Sequence, residues 1–208
     1  MRYIPNPHYK PEFKWGSFST SKIEIRQLWW AWLAISVAFA NVLNVGGYIN
    51  FPRFFLISGI AVGLGFLFHE MGHKILAQKF GLAAEFRASY QMLIFAVIIS
   101  FFGFVFAAPG AVMILGRPSK KQNGIISAFG PLTNFFLAMV FLLLSFTGMF
   151  STFMAQLTFI GYTINVWLGL FNLIPVSIFD GRKIWHWNKA AYLALVVFGI
   201  SLFILQYI

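Results

Sequence analysis

Apolar residues in this chain gather into long runs divided by short polar or basic breaks, instead of the one-sided stripe of a soluble helix. Residues 1–27 are polar and basic, with Pro5, Pro7 and Pro11, and read as a cytoplasmic tail on a membrane surface. A first apolar span covers about 28–48 and opens with Trp29, Trp30 and Trp32, where an aromatic belt belongs. A turn holding Asn50, Pro52 and Arg53 leads into a second span, about 54–80, which Gly81 ends. Further spans cover about 124–146, 153–179 and 189–207. Each has roughly the 20 residues needed to cross a bilayer core.

Residues 85–116 depart from this pattern. Glu85 to Tyr90 is polar enough for an interfacial strand, 92–108 is apolar, and Pro109 to Ile114 reads as a second short strand. Hydropathy alone makes the middle piece a sixth crossing.

Composition confirms the class. Of 208 residues, 60% are apolar and 10% charged, with a mean hydropathy of +0.79. A soluble domain carries about 25% charged residues, so an integral membrane protein is indicated. Cysteine is absent, which removes disulfides and thiolate ligands, and four histidines are too few for a multi-histidine di-iron centre. The net charge of +10 suits cytoplasmic flanks better than nucleic acid, and no nucleic-acid partner is expected.

Charge also bears on the crossing count. If 91–108 turns back as a re-entrant hairpin, fourteen of the fifteen basic residues lie on one side and only Arg53 on the other. A full crossing divides them eight against seven. The positive-inside tendency favours the hairpin. The expected fold is therefore all-α and polytopic, with five transmembrane helices, a re-entrant hairpin and short membrane-associated strands; six crossings is the alternative. One domain, 28–208 with its core at 54–183, would follow the tail.

Candidate chemistry lies inside the second span, at His69-Glu70-Met71-Gly72-His73. At 3.6 residues per turn the two histidines share a helix face and can reach one metal ion, with Glu70 beside it to accept a proton from water. His69 stands about 16 Å from the helix end, below the headgroups. Ionisable groups at such depth are costly and usually functional. A third ligand is needed, and Glu85 and Asp180 are the candidates; Glu85, close to Arg87, reads as a surface carboxylate. Asp180 can meet the histidines only if its span runs parallel to theirs, which again excludes an extra crossing.

Three stretches together resemble the site-2 protease family of intramembrane zinc metalloproteases. These are His69-Glu70-Met71-Gly72-His73, then Phe129-Gly130-Pro131-Leu132-Thr133-Asn134, then Asn172-Leu173-Ile174-Pro175 running on to Asp180-Gly181. Order and spacing match over about 54–183. Three departures stand out: Phe129 in place of alanine, Ile178 in place of a second proline, and Arg182 in place of a second glycine. None touches a ligand or the base.

The resemblance implies one zinc ion on His69, His73 and Asp180, with Glu70 as general base. It implies that Asn172 positions substrate or stabilises the oxyanion, and that Asn134 is structural, satisfying backbone groups freed by Pro131. The implied activity is endoproteolysis within transmembrane segments of other proteins in the cell membrane, and the charge asymmetry puts both the amino terminus and the histidine-bearing half of the second span toward the cytoplasm. A substrate helix must unwind to expose its carbonyls, and the two short strands offer edges for it to pair with, at Val112 and Met113 above all. A non-catalytic metal-binding scaffold and a transporter using the same groups as a relay are the competing readings.

Overall fold

The computed structural model describes residues 11–44, 50–105, 109–148 and 151–207. The chain begins with a small hairpin, β1 (Phe13–Trp15) and β2 (Phe18–Thr20), turning at Gly16 with φ of 59°. Phe13, Trp15 and Phe18 stack along it at centroid spacings of 6.1 and 6.3 Å. Helix α1 (Lys22–Leu43) follows, capped by Ser21, whose hydroxyl accepts from the Glu24 amide at 3.2 Å.

Helix α1 starts well before the apolar span read from the sequence at 28. Its first turn is not a plain surface turn, because Glu24 is fully buried between exposed neighbours. Both Glu24 oxygens are occupied: Oε2 by Lys74 Nζ and by Thr20 Oγ1 at 2.7 Å, Oε1 by the Phe86 amide at 2.8 Å. Lys74 is equally buried and also lies over the Phe18 ring at 4.6 Å. A buried carboxylate needs such a full set of partners. Part of the expected tail is thus folded against the helix bearing the histidines.

That helix is continuous over 29 residues, Phe51–Lys79. It comprises α2 (Phe51–Ser58), one wider π-helical turn (Gly59–Gly63) and α3 (Leu64–Lys79). Such turns disturb the regular hydrogen-bond ladder, and side chains from neighbouring helices dock on this one. Trp32 Nε1 donates to the Gly59 carbonyl at 3.0 Å and Asn165 Nδ2 to the Ala61 carbonyl at 2.9 Å.

Strands β3 (Ala83–Ala88) and β4 (Gly110–Leu115) pair antiparallel, with Phe86 opposite Val112, and enclose helix α4 (Tyr90–Ser100). The Ser89 amide donates to the Pro109 carbonyl at 2.9 Å, so the chain returns to the point it left. The eleven residues of α4 rise about 16 Å, roughly half of a bilayer core. Part of the expected hairpin, residues 106–108, lies outside the described residues.

Helix α5 (Lys120–Ser145) opens with a capping box of Ser119 and Gln122 and carries Pro131 inside; it packs along α6 (Thr152–Asn172). A loop then leads to α7 (Asp180–Trp187) and α8 (Lys189–Leu205). The shared core includes Ile57, Val62, Phe86, Ile126, Phe135 and Val166, each at most 1% exposed. Among the described residues, three helices are long and apolar enough to cross a membrane: Phe51–Lys79, Lys120–Ser145 and Thr152–Asn172. Helices α4 and α8 are shorter apolar pieces, and α1 carries Lys22, Glu24 and Arg26 in its first turns. The protein is a mostly helical membrane protein.

Candidate metal centre

His69 and His73 project from one face of α3 with their rings edge to face, centroids 4.7 Å apart. Asp180, the first residue of α7, meets them. His73 Nε2 lies 2.9 Å from Asp180 Oδ2, His69 Nε2 lies 3.4 Å from it, and the two Nε2 atoms are 3.1 Å apart. Tetrahedral bonds of about 2.0–2.1 Å place ligand atoms about 3.3 Å apart, so the triangle has the size of a zinc site. All three residues are buried.

The rest of each ring is held for the same purpose. His73 Nδ1 donates to the Ile126 carbonyl at 2.8 Å, and His69 Nδ1 donates to Asn134 Oδ1 at 2.6 Å. With their protons on Nδ1, both imidazoles present a bare Nε2 to the centre. Lys183 Nζ donates to Asp180 Oδ1 at 3.0 Å and leaves Oδ2 for the metal side. The donor set of two neutral imidazoles and one carboxylate therefore fits zinc.

Gly130 makes this arrangement possible. A Cβ there would stand 2.4 Å from His73 Cε1 and Nε2 and 2.6 Å from His69 Cε1. Only a glycine lets α5 approach so closely.

Glu70 shares a cavity of about 510 Å³ with His69, His73 and Asp180. Its Oε2 accepts from the Val112 amide at 3.1 Å, which joins α3 to β4. Asn172 lines the same cavity, and its Nδ2 donates one hydrogen back to the Leu168 carbonyl at 2.9 Å. Val112 and Met113 line it as well.

Two sequence readings need correction. Glu85 is no surface carboxylate: it is 4% exposed, sits on β3 and pairs with Arg87. Asn134 does not serve carbonyls of its own helix. Its amide donates to the Gly65 carbonyl at 3.2 Å and to Asn165 Oδ1 at 3.1 Å, and its oxygen holds His69. Sequence reasoning passed over Asn165 and Lys183, although polar residues in or beside apolar helices are signals in their own right.

A protein of Methanocaldococcus jannaschii named "Putative zinc metalloprotease" is 39% identical over 173 residues, which cover 79% of this chain and 91% of that protein. The chain belongs to that zinc metalloprotease family. No protein-family model matches it, and no solved structure does. Membership accords with the donor set of the site, since metalloproteases of this kind rest on two histidines and a carboxylate around zinc. The buried cluster of His69, His73 and Asp180 is where this member would hold the ion.

Proposed function

We propose that the protein is an intramembrane endopeptidase of the site-2 protease type, cutting transmembrane segments of other membrane proteins near the cytoplasmic face. The observation that carries this reading is the placement of His69 and His73 on a membrane-length helix, with Asp180 of α7 completing the triangle and Glu70 one residue from the first ligand. His69 precedes the end of α3 by about 15 Å of helix rise, which supports a centre at membrane depth.

One zinc ion held by the triangle would supply a polarised peptide carbonyl and an acidified water. Glu70 takes up the water proton and delivers it to the leaving amine, as a general base turned general acid. Asn172 keeps one amide hydrogen for a developing oxyanion, since the other is given to Leu168. Lys183 holds Asp180 in its ligating orientation.

Substrate docking falls to β4. The outer edge of β3 is closed by side chains: Glu24 takes the Phe86 amide, Gln27 the Ala88 amide at 3.1 Å, and Gln78 the Ala84 carbonyl at 3.1 Å. Val112 pairs with Phe86, so its amide points away from β3 and toward Glu70. An unwound substrate strand would lie along this edge, in the cavity, with its scissile carbonyl toward the metal side. The topology consistent with this is five crossings with 91–108 re-entrant and the amino terminus cytoplasmic.

Zinc analysis of purified protein, paired with cleavage of a transmembrane test substrate, tests the assignment. Asp180→Ala should lose most of its zinc, and Glu70→Gln should keep zinc while cleavage falls about 10²–10⁴-fold. Full zinc in the first variant, or undiminished cleavage by the second, would defeat it.

A further inference from the structure

Asn165 lies on α6, outside every motif singled out in the sequence, and is completely buried. Its two amide hydrogens go to the carbonyls of Ala61, at 2.9 Å, and Gly161, at 2.8 Å. Carbonyls only accept, so the amide can face just one way, with Oδ1 turned toward Asn134. Asn134 in turn spends its two hydrogens on Asn165 Oδ1 and the Gly65 carbonyl, which turns its own oxygen to His69. His69 must then carry its proton on Nδ1 and present Nε2 bare.

Direction therefore passes along a chain of amides from a fixed origin to a metal ligand. That origin includes Ala61, in the π-helical turn of the helix that bears His69 two turns later. Space for the chain is provided as well: a Cβ on Gly65 would stand 2.4 Å from Asn165 Oδ1. Exposure of both asparagines is 0%, so no water competes for their groups. A purely packing role for Asn165 needs neither the reach to Asn134 nor the glycine opposite it.

We infer that Asn165 is a positioning residue for zinc binding, setting the tautomer and ring orientation of His69 through Asn134. The inference rests on the zinc reading given above. It adds that α6 and the π-helical turn, neither of which supplies a ligand, determine how well the site holds its ion.

The test uses the full chain in detergent and measures zinc affinity together with the visible spectrum after Co²⁺ substitution. Asn165→Leu removes the acceptor for Asn134 and should weaken zinc about 10-fold or more, with an altered Co²⁺ spectrum. Asn165→Asp keeps an oxygen facing Asn134 and, in its neutral form, an O–H for one of the two carbonyls. It should restore affinity to within about threefold and return the spectrum. Tyr162→Phe, one turn earlier on α6, removes the hydrogen bond to the Leu202 carbonyl and should cost stability while leaving zinc and spectrum unchanged. Asn165→Ala carries the same expectation as the leucine variant should that one not assemble.

If the parent protein binds no zinc, the zinc reading fails and takes the relay with it. If the parent and Asn165→Leu bind equally with identical Co²⁺ spectra, the relay alone is overturned. It is also overturned if Tyr162→Phe loses zinc as Asn165→Leu does, because the effect would then be general loosening of α6.

Discussion

At the scale of single residues, the metal centre depends as much on an absent side chain as on those present. Alanine at an exposed helical glycine usually adds about 1 kcal/mol of helix stability. At position 130 the added methyl meets both ligand rings at 2.4–2.6 Å, and the rings have nowhere to go because their Nδ1 atoms are tied to Ile126 and Asn134. Gly130→Ala should therefore reduce zinc affinity at least about 10-fold, which titration against a chromogenic chelator would measure. An unchanged affinity would mean that α5 can withdraw without cost. Part of this cluster was legible in the sequence because it obeys a local rule: His69 and His73 are one turn apart, whereas Asp180, read as closing a span over 153–179, instead opens α7 after a loop that follows the end of α6 at Asn172. The holding groups were not legible. Asn134 reaches His69 across 65 positions and Asn165 reaches Ala61 across 104, and no local pattern records such pairings. Glu85 was misread for a related reason, since the burial that makes its pairing with Arg87 matter comes from the fold around β3.

At the scale of elements, the β3–β4 hairpin separates two kinds of backbone amide along one strand. In β4, the Ala111 and Met113 amides belong to the ladder with β3, whereas that of Val112 points outward to Glu70. Proline is tolerated where the lost N–H faces away from a partner strand. Val112→Pro should accordingly leave the hairpin and the zinc in place while removing a docking point for substrate. Cleavage of a helical transmembrane substrate should drop about 10-fold or more, and cleavage of a short unstructured peptide should change much less. Equal losses on both would indicate that the Val112 bond to Glu70, and not strand docking, is what the proline disturbs; unchanged cleavage of the helical substrate would remove docking at Val112 altogether. The strands themselves could be read from the polar break at 85–90 and the Pro109-Gly110 start. The early beginning of α1 could not, because Lys22, Glu24 and Arg26 look like a surface tail until Lys74, fifty positions on, is seen to neutralise Glu24. The π-helical turn is likewise silent in sequence; its side-chain partners, Trp32 and Asn165, come from other helices.

At the scale of the whole molecule, one geometric requirement links chemistry to topology. Asp180 meets His69 and His73 only if α3 ends on the side where α7 begins. In the proposed topology helices α5 and α6 form one out-and-back pair between them, and the segment between Ser89 and Pro109 contributes no net crossing. Its ends are joined by the hydrogen bond from Ser89 to Pro109, and α4 is about half a bilayer long, which agrees with that requirement. Basic residues point the same way, with Lys79, Arg117, Lys120, Lys121 and Arg182 near the metal-side ends and Arg53 at the other. The chain lacks cysteine, so single cysteines can be introduced on a clean background and labelled with a membrane-impermeant maleimide. Lys121→Cys and Arg182→Cys should label only after the cytoplasmic face is opened, while Thr147→Cys and Gln206→Cys should label in intact cells. Phe102→Cys, just past the end of α4, decides the count. It is 74% exposed on the protein surface, so the protein itself does not shield it. In a re-entrant segment it lies in lipid and should stay unlabelled from both faces. In a sixth crossing it approaches the outer face and should label in intact cells together with Lys121→Cys, while Thr147→Cys should not, and that result would reverse the sidedness assigned to every later helix.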